Sequence, residues 1–539
     1  MQELFIEYVF LIFIIIGLVM LANKLKVAYP IVLVLGGLLL SLTSLFSNIA
    51  IDPELIFFLF LPPLLYDAAW QTSWKDLWKW RRVITSFAFP IVIITSCVVA
   101  FASNALIPGF TLALGFLLGG IVSPPDAVSA TTIMRQVKAP RILVSVAEGE
   151  SLLNDASALI VFRFALAAVI TGSFDFSQAA GNFFMVILMG TAIGLVTAFV
   201  FYAILRWLPA PPSIEIVLSL LAPYCMYYFA EYFHFSGVLA VVAGGLFLSS
   251  KRHTIFSYRG RVQGSNVWAT IGFVLNGLVF MLIGLELPYI TREIEQVSLQ
   301  QAIGYGLVIS LVLIVTRIAC TLGASVFTRF MSRFIAVADP NPGWKVPLVF
   351  GWAGMRGVVS LAAALSIPAL IQPGGEAFPY RNLILVITFV VILVTLVFQG
   401  LTLPWVIRKA KLRDENENSL AQARDIAIRK MISSASLKFL ETIPREEKLL
   451  NDKLSNLSEK LHADLVLFQA DVDDFNSSNK PLLIRYHAIC IALLEEQRQA
   501  LHLLNRQDDF DEELIRKYLS LVDMEEIKIR ELSFGNHET

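Results

Sequence analysis

The stretch from Ala147 to Phe164, A-E-G-E-S-L-L-N-D-A-S-A-L-I-V-F-R-F, sets Glu148, Glu150, Asn154, Asp155 and Arg163 inside an apolar run long enough to cross a membrane. An ionisable side chain at bilayer depth costs at least ~2.5 kcal/mol, so such residues face a polar cavity or a partner and mark an ion or proton path. In a helix, Glu150 and Asn154 are four apart, as are Ser151 and Asp155, which puts four polar groups on one side of a single turn. That side is a candidate cation site.

Composition places this stretch in a polytopic membrane protein. Hydrophobic residues make up 56% of the 539 and charged ones 16%, too apolar a balance for a soluble chain. The net charge of −1 hides two regions, an apolar one over 1–408 and a charged one over 409–539. Cys97, Cys225, Cys320 and Cys490 have neither disulfide-framework nor metal-ligand spacing, and no cofactor motif is present. An intramembrane enzyme would need two facing aspartates, a serine with its base or a His-Glu-x-x-His zinc site, and none is recognisable, which argues against catalysis.

Outward from 147–164, the chain divides into thirteen apolar runs, beginning at Leu4 to Leu21 and ending at Leu383 to Ile407. The first has no small-residue cleavage site after it and reads as a retained helix, not a signal peptide. Alternate loops carry the basic residues, among them Lys24 and Lys26, Lys75 to Arg82, Arg135 to Arg141, Lys251 to Arg261 and Arg329 to Lys345, whereas the opposite set offers only Arg292 and Arg381. By the positive-inside rule this predicts a multi-pass protein of the cell (inner) membrane, N-terminus outside and C-terminus cytoplasmic. The expected fold is all-α, about 13 transmembrane helices followed by a helical cytoplasmic tail.

Two runs are interrupted in corresponding places. The fifth contains G-G-I-V-S-P-P-D-A-V-S-A, where Pro124 and Pro125 remove backbone donors just before Asp126. The twelfth contains G-W-A-G-M-R-G, with Gly351, Gly354 and Gly357 around Arg356. The two are seven runs apart, an odd offset that predicts inverted repeats with a substrate site between broken helices.

Five ordered motifs carry a family resemblance: F-F-L-F-L-P-P-L-L-Y-D-A-A-W from Phe57, S-P-P-D-A-V-S-A from Ser123, E-G-E-S-L-L-N-D from Glu148, V-F-M-L-I-G-L-E-L from Val279 and G-M-R-G-V-V-S-L-A from Gly354. Together they resemble the monovalent cation/proton antiporters, in the sodium/proton exchanger branch with an Asn-Asp motif, bacterial NhaP-like and animal exchanger-like. The resemblance covers about 400 residues and not the tail. It implies that Asp155 binds the ion and carries the proton, with Asn154 as its partner and Ser151 lending an oxygen, so that Na+ sits at Asp155 and Ser151. It implies a structural pair between Glu150 and Arg356, an acidic contribution from Asp67, and a homodimer. Many relatives have Thr-Asp-Pro where this chain has Pro125, Asp126 and Ala127, so a threonine ligand is missing while the Pro125 carbonyl remains a candidate.

The chemistry also follows from the residues alone. Sodium, lithium and potassium seek oxygen, which carboxylate, amide, hydroxyl and carbonyl groups supply. A carboxylate withdrawn from water must be neutralised, and cation and proton compete to do so. If Asp155 is the single exchangeable carboxylate, exchange is one-for-one and electroneutral; titration of Asp67 or Asp126 would change that. Sodium is the first choice of cation, with lithium as surrogate and potassium as the alternative; the rival reading is a cation channel, or a proton-independent pathway gated by the tail. Asp126 reads equally as a site member or as the cap of the second half-helix. Arg163, Glu286 and Arg317 are secondary candidates, as interfacial anchors or helix pairs. The tail, with amphipathic segments at Leu482 to Leu504 and Glu512 to Leu532, suits a regulatory or dimer-stabilising role with an unidentified regulator.

Overall fold

Proline, glycine and short polar caps punctuate the apolar sequence into helices. The computed structural model describes residues 2–43, 56–172, 176–208, 210–286, 297–334, 343–371, 376–412, 415–443, 452–467, 480–504 and 512–532. Leu287, Arg292 and the end of the second apolar run lie outside these residues. The chain forms two compact units, Met1–Leu412 and Arg413–Thr539.

In the first unit, α1 (Gln2–Leu25) and α2 (Tyr29–Ser41) precede α3 (Leu61–Gln71), whose Pro62 sits in the first turn, where a missing N–H costs nothing. Ser73 caps α4 (Trp74–Leu106) by accepting from the Asp76 N–H at 3.3 Å, and a π turn at Phe87–Ile91 surrounds Pro90. The prolines at 124 and 125 divide the next segment into α5 (Leu112–Val122) and α6 (Ala127–Gln136). Then comes α7 (Arg141–Thr171), which carries the Asn154-Asp155 pair and ends at Gly172 with φ +70°. It is followed by α8 (Phe176–Trp207), α9 (Pro212–Tyr232), α10 (Gly237–Ile255), α11 (Tyr258–Leu285) and α12 (Leu299–Met331). The second interruption separates α13 (Lys345–Trp352) from α14 (Val358–Leu365), and α15 (Arg381–Ala410) closes the unit with a π turn at Thr395–Gln399. Among the described residues eight stretches, with α5 and α6 taken together as one, are long and apolar enough to cross a membrane.

Burial sorts the helices into two groups. A large apolar cluster joins α1, α2, α4 to α7 and α11 to α15, while a smaller one joins α3, α8, α9 and α10 with Trp268 of α11. Helix α7 belongs to both: Leu143, Val146 and Phe162 face the large cluster, Ala156 and Ile160 the small one. The Asn154-Asp155 pair therefore sits on a helix that joins the two, as α11 also does.

The second unit contains α16 (Glu415–Glu441), α17 (Asp452–Leu467), α18 (Lys480–Leu504) and α19 (Glu512–Leu532). Arg498 of α18 bridges to Asp523 at 2.8 Å and Glu526 at 2.6 Å of α19. Arg498 and Arg530 together hold the Glu526 carboxyl below its ordinary range. His487 is buried in this unit, and burial together with the nearby Arg429 guanidinium pushes its imidazole below the ordinary value. The unfolded chain thus takes up a proton that the folded unit resists, so His487 adds stability above about pH 6.5 that is lost as pH falls below it. Backbone hydrogen exchange along α18 in the intact chain, corrected for intrinsic rates, is expected to accelerate on acidification through this range, and His487→Leu to flatten that dependence.

Candidate ion-binding site

The two interruptions meet. The Asp126 N–H donates to the Met355 carbonyl at 2.6 Å, and Arg356 Nε donates to the Val122 carbonyl at 2.9 Å, so each break supplies a partner for the other. Unwound backbone at membrane depth needs such partners, because no water is there to satisfy it. Gly357 makes the approach feasible: a Cβ there would lie 2.7 Å from the Asp126 carboxylate oxygen. Gly357→Ala is accordingly expected to force the crossing apart at a cost of about 1–3 kcal/mol, read as a lower melting temperature in detergent and a loss of transport.

Asp126 lies at the start of α6 and acts as its cap. Its carboxylate accepts from the Val128 N–H at 3.0 Å, the Ser129 N–H at 3.3 Å and the Ser129 hydroxyl at 2.5 Å. Most of its lone-pair capacity is thereby engaged, which matches the capping alternative read from the sequence.

Beside the crossing, Asn154 is fully buried and its Nδ2 donates to the Pro125 carbonyl at 3.3 Å. Its Oδ1 is buried and receives no hydrogen bond among the described residues. One residue on, Asp155 is 7% exposed and accepts no hydrogen bond within the described protein, while Asp126 and Glu150 are close enough to act on it electrostatically. Ser151 lies one turn earlier, half-buried. Ser157, one turn on from Asn154, fixes the helix by donating to the Ala88 carbonyl at 2.5 Å, in the π turn of α4. The crossing thus has beside it a buried amide oxygen, that of Asn154, the Pro125 carbonyl to which the same amide donates, and the Asp155 carboxylate on the next residue.

Glu150 finds its partner elsewhere than the resemblance implies. Arg317 of α12 meets it at 2.9 Å, both side chains nearly fully buried. Arg356 instead donates to backbone, from Nε to Val122 and from Nη1 to Gly354, and its own N–H donates to Thr395 Oγ1 at 3.1 Å. Gly354 is packed against the Arg317 side chain, where a Cβ would collide with its Cδ. Arg356 thus joins α5 to the region of α15 and α14, and Arg317 ties α12 to α7. Thr395 was not a candidate from sequence; it lies in a π turn that has no proline or glycine at its start.

The remaining candidates lie apart from the crossing. Asp67 accepts from Gln71 Nε2 at 2.8 Å and faces α11 at Gly272; no hydrogen bond joins it to Asp155. Arg163 pairs with Glu231 of α9 at 2.7 Å, and Glu231 also accepts from the Gly237 N–H, so the pair fastens α7 to the start of α10. Glu286 is the buried C-cap residue of α11.

Crossed, interrupted helices with buried carboxylates beside them are the arrangement found at the substrate sites of secondary transporters. Comparison with known proteins gives the family: the transmembrane sodium/hydrogen exchanger family matches residues 9–409, and the chain belongs to it. It is 32% identical to an uncharacterised Na+/H+ exchanger of Mycobacterium tuberculosis, over 94% of this chain and 93% of that one. It is 34% identical to a sodium, potassium, lithium and rubidium/H+ antiporter of Bacillus subtilis, over 70% of this chain and 57% of the relative. Among solved structures, the sodium proton antiporter MjNhaP1 of Methanocaldococcus jannaschii shares the fold, with a TM-score of 0.60 at 17% identity over 76% of this chain and all of that one.

Proposed function

We propose that the protein exchanges a monovalent cation, sodium first, for protons, one for one, with Asp155 as the group for which the two compete. The observation that carries this reading is a buried amide oxygen without a donor next to a buried carboxylate: Asn154 Oδ1 has no hydrogen-bond partner among the described residues, and Asp155, the following residue, is 7% exposed and feels Asp126 and Glu150 electrostatically. A buried acceptor left unpaired costs about 1–3 kcal/mol, and neighbouring carboxylates in a medium of low dielectric repel one another. A cation coordinated by Asp155, the Asn154 amide oxygen, Ser151 and the second lone pair of the Pro125 carbonyl relieves both, and so does a proton on Asp155. Asp126 supports the crossing and the local field, with Asp67 outside the coordination shell. Glu150 with Arg317, and Arg356 with its carbonyls, hold the helices.

The membrane unit then makes thirteen crossings in inverted repeats, N-terminus outside and tail inside, and works as a homodimer. Because the empty site is charged and both loaded forms carry equal charge, only loaded forms cross, which couples the fluxes and leaves transport insensitive to voltage. The Bacillus subtilis relative is named for potassium, lithium and rubidium as well as sodium, which extends the candidate cations to that set.

The test is internal pH in sealed proteoliposomes on addition of sodium or potassium, with a parallel run clamped by potassium and valinomycin. Proton movement that follows the cation and ignores the clamp supports the proposal. Cation flux without proton movement would replace it with a channel.

A further inference from the structure

Helix α4 is too long for the membrane it enters. Its 33 residues span about 50 Å, against a hydrocarbon core of about 30 Å. The excess corresponds to about 13 residues, and the polar end that must supply them is Trp74–Ser86, W-K-D-L-W-K-W-R-R-V-I-T-S, itself 13 residues. Its two faces differ. Leu77, Trp80, Val83 and Ile84 turn to the core, and Ile84 packs against Gly149 of α7, next to Glu150. Trp74, Lys75, Trp78, Lys79 and Arg81 are exposed on the other side.

That outer face is basic and aromatic at once. The Arg81 guanidinium lies 4.5 Å from the ring centre of exposed Trp78, and Lys79 Nζ reaches the edge of the inner face, 5.4 Å from the ring centre of Trp80. No carboxylate among the described residues pairs with Lys75, Lys79 or Arg81; the nearby Asp76 is turned to α7 instead, toward Arg141 at 3.4 Å and Ser145. Tryptophan prefers the depth where headgroups meet acyl chains, and basic residues there attract anionic headgroups. We propose that the outer face of Trp74–Ser86 binds anionic phospholipid headgroups of the leaflet from which α4 emerges, the cytoplasmic one in the orientation proposed above. Lipid held there bears on α7 through Ile84 and Gly149, on the face opposite the occupied one.

The test reads binding without transport, so its failure is separate from failure of the antiport reading. The full-length protein is reconstituted in phosphatidylcholine vesicles in which equal mole fractions of brominated phosphatidylglycerol or brominated phosphatidylcholine quench tryptophan fluorescence. Brominated phosphatidylglycerol is expected to quench roughly twofold more. The excess is expected to disappear in Lys75→Gln/Lys79→Gln/Arg81→Gln. In the unaltered protein it is expected to disappear when salt shortens the Debye length from about 10 to about 3 Å, a control that needs no variant. Equal quenching by the two lipids in the unaltered protein, or an excess unchanged in the triple variant, overturns the proposal.

Discussion

Asp155→Asn is expected to abolish cation-evoked proton movement in sealed vesicles, by at least about 100-fold, because losing one member of a buried charge interaction costs about 3 kcal/mol or more. The replacement keeps the shape of the side chain and leaves the Asn154 bond to Pro125 and the Asp126 cap in place. What it removes is the charge for which cation and proton compete. A neutral site that never titrates has no empty charged state, so nothing couples the fluxes. The same variant is expected to melt at a higher temperature in detergent, because it removes a buried negative charge lying close to Asp126 and Glu150. Activity lost together with a lower melting temperature would signal misfolding. Undiminished exchange would remove Asp155 from the mechanism.

Arg317→Met is expected to lower stability by about 3–5 kcal/mol, since it removes the salt-bridge partner of buried Glu150. The signature is in the double variant: Glu150→Gln with Arg317→Met should recover a large part of the loss, because replacing both charges spares the desolvation of either. Glu150→Gln alone strands the Arg317 guanidinium and should also destabilise. Melting curves of the four proteins give the coupling energy, and simple additivity would show that the pair contributes nothing as a pair.

Much of this was legible in the sequence because it depends on residues close together in the chain. Pro124 and Pro125 cannot continue a helix, and the glycines at 351, 354 and 357 mark close backbone approach. Glu150, Ser151, Asn154 and Asp155 share a face by helical spacing alone. The choice of partner for Glu150 was not legible, because Arg317 lies 167 residues away and nothing local distinguishes it from Arg356. Nor could spacing say whether Asp126 caps or coordinates, since both roles put a carboxylate just after a break. Thr395 stayed hidden for a different reason: a π turn adds one residue to a helical turn without a composition of its own.

The reciprocal bonds between Asp126 and Met355, and between Arg356 and Val122, have a consequence for inheritance. Each interruption is completed by backbone or side-chain groups from the other, so neither is a self-sufficient module. A chimera that takes 112–136 from a relative and keeps 345–365 native would join two ends shaped for different counterparts. A chimera exchanging both segments together carries its own stitching with it. In this chain the unit that can be transplanted, or altered by successive mutation without passing through a broken intermediate, is the pair.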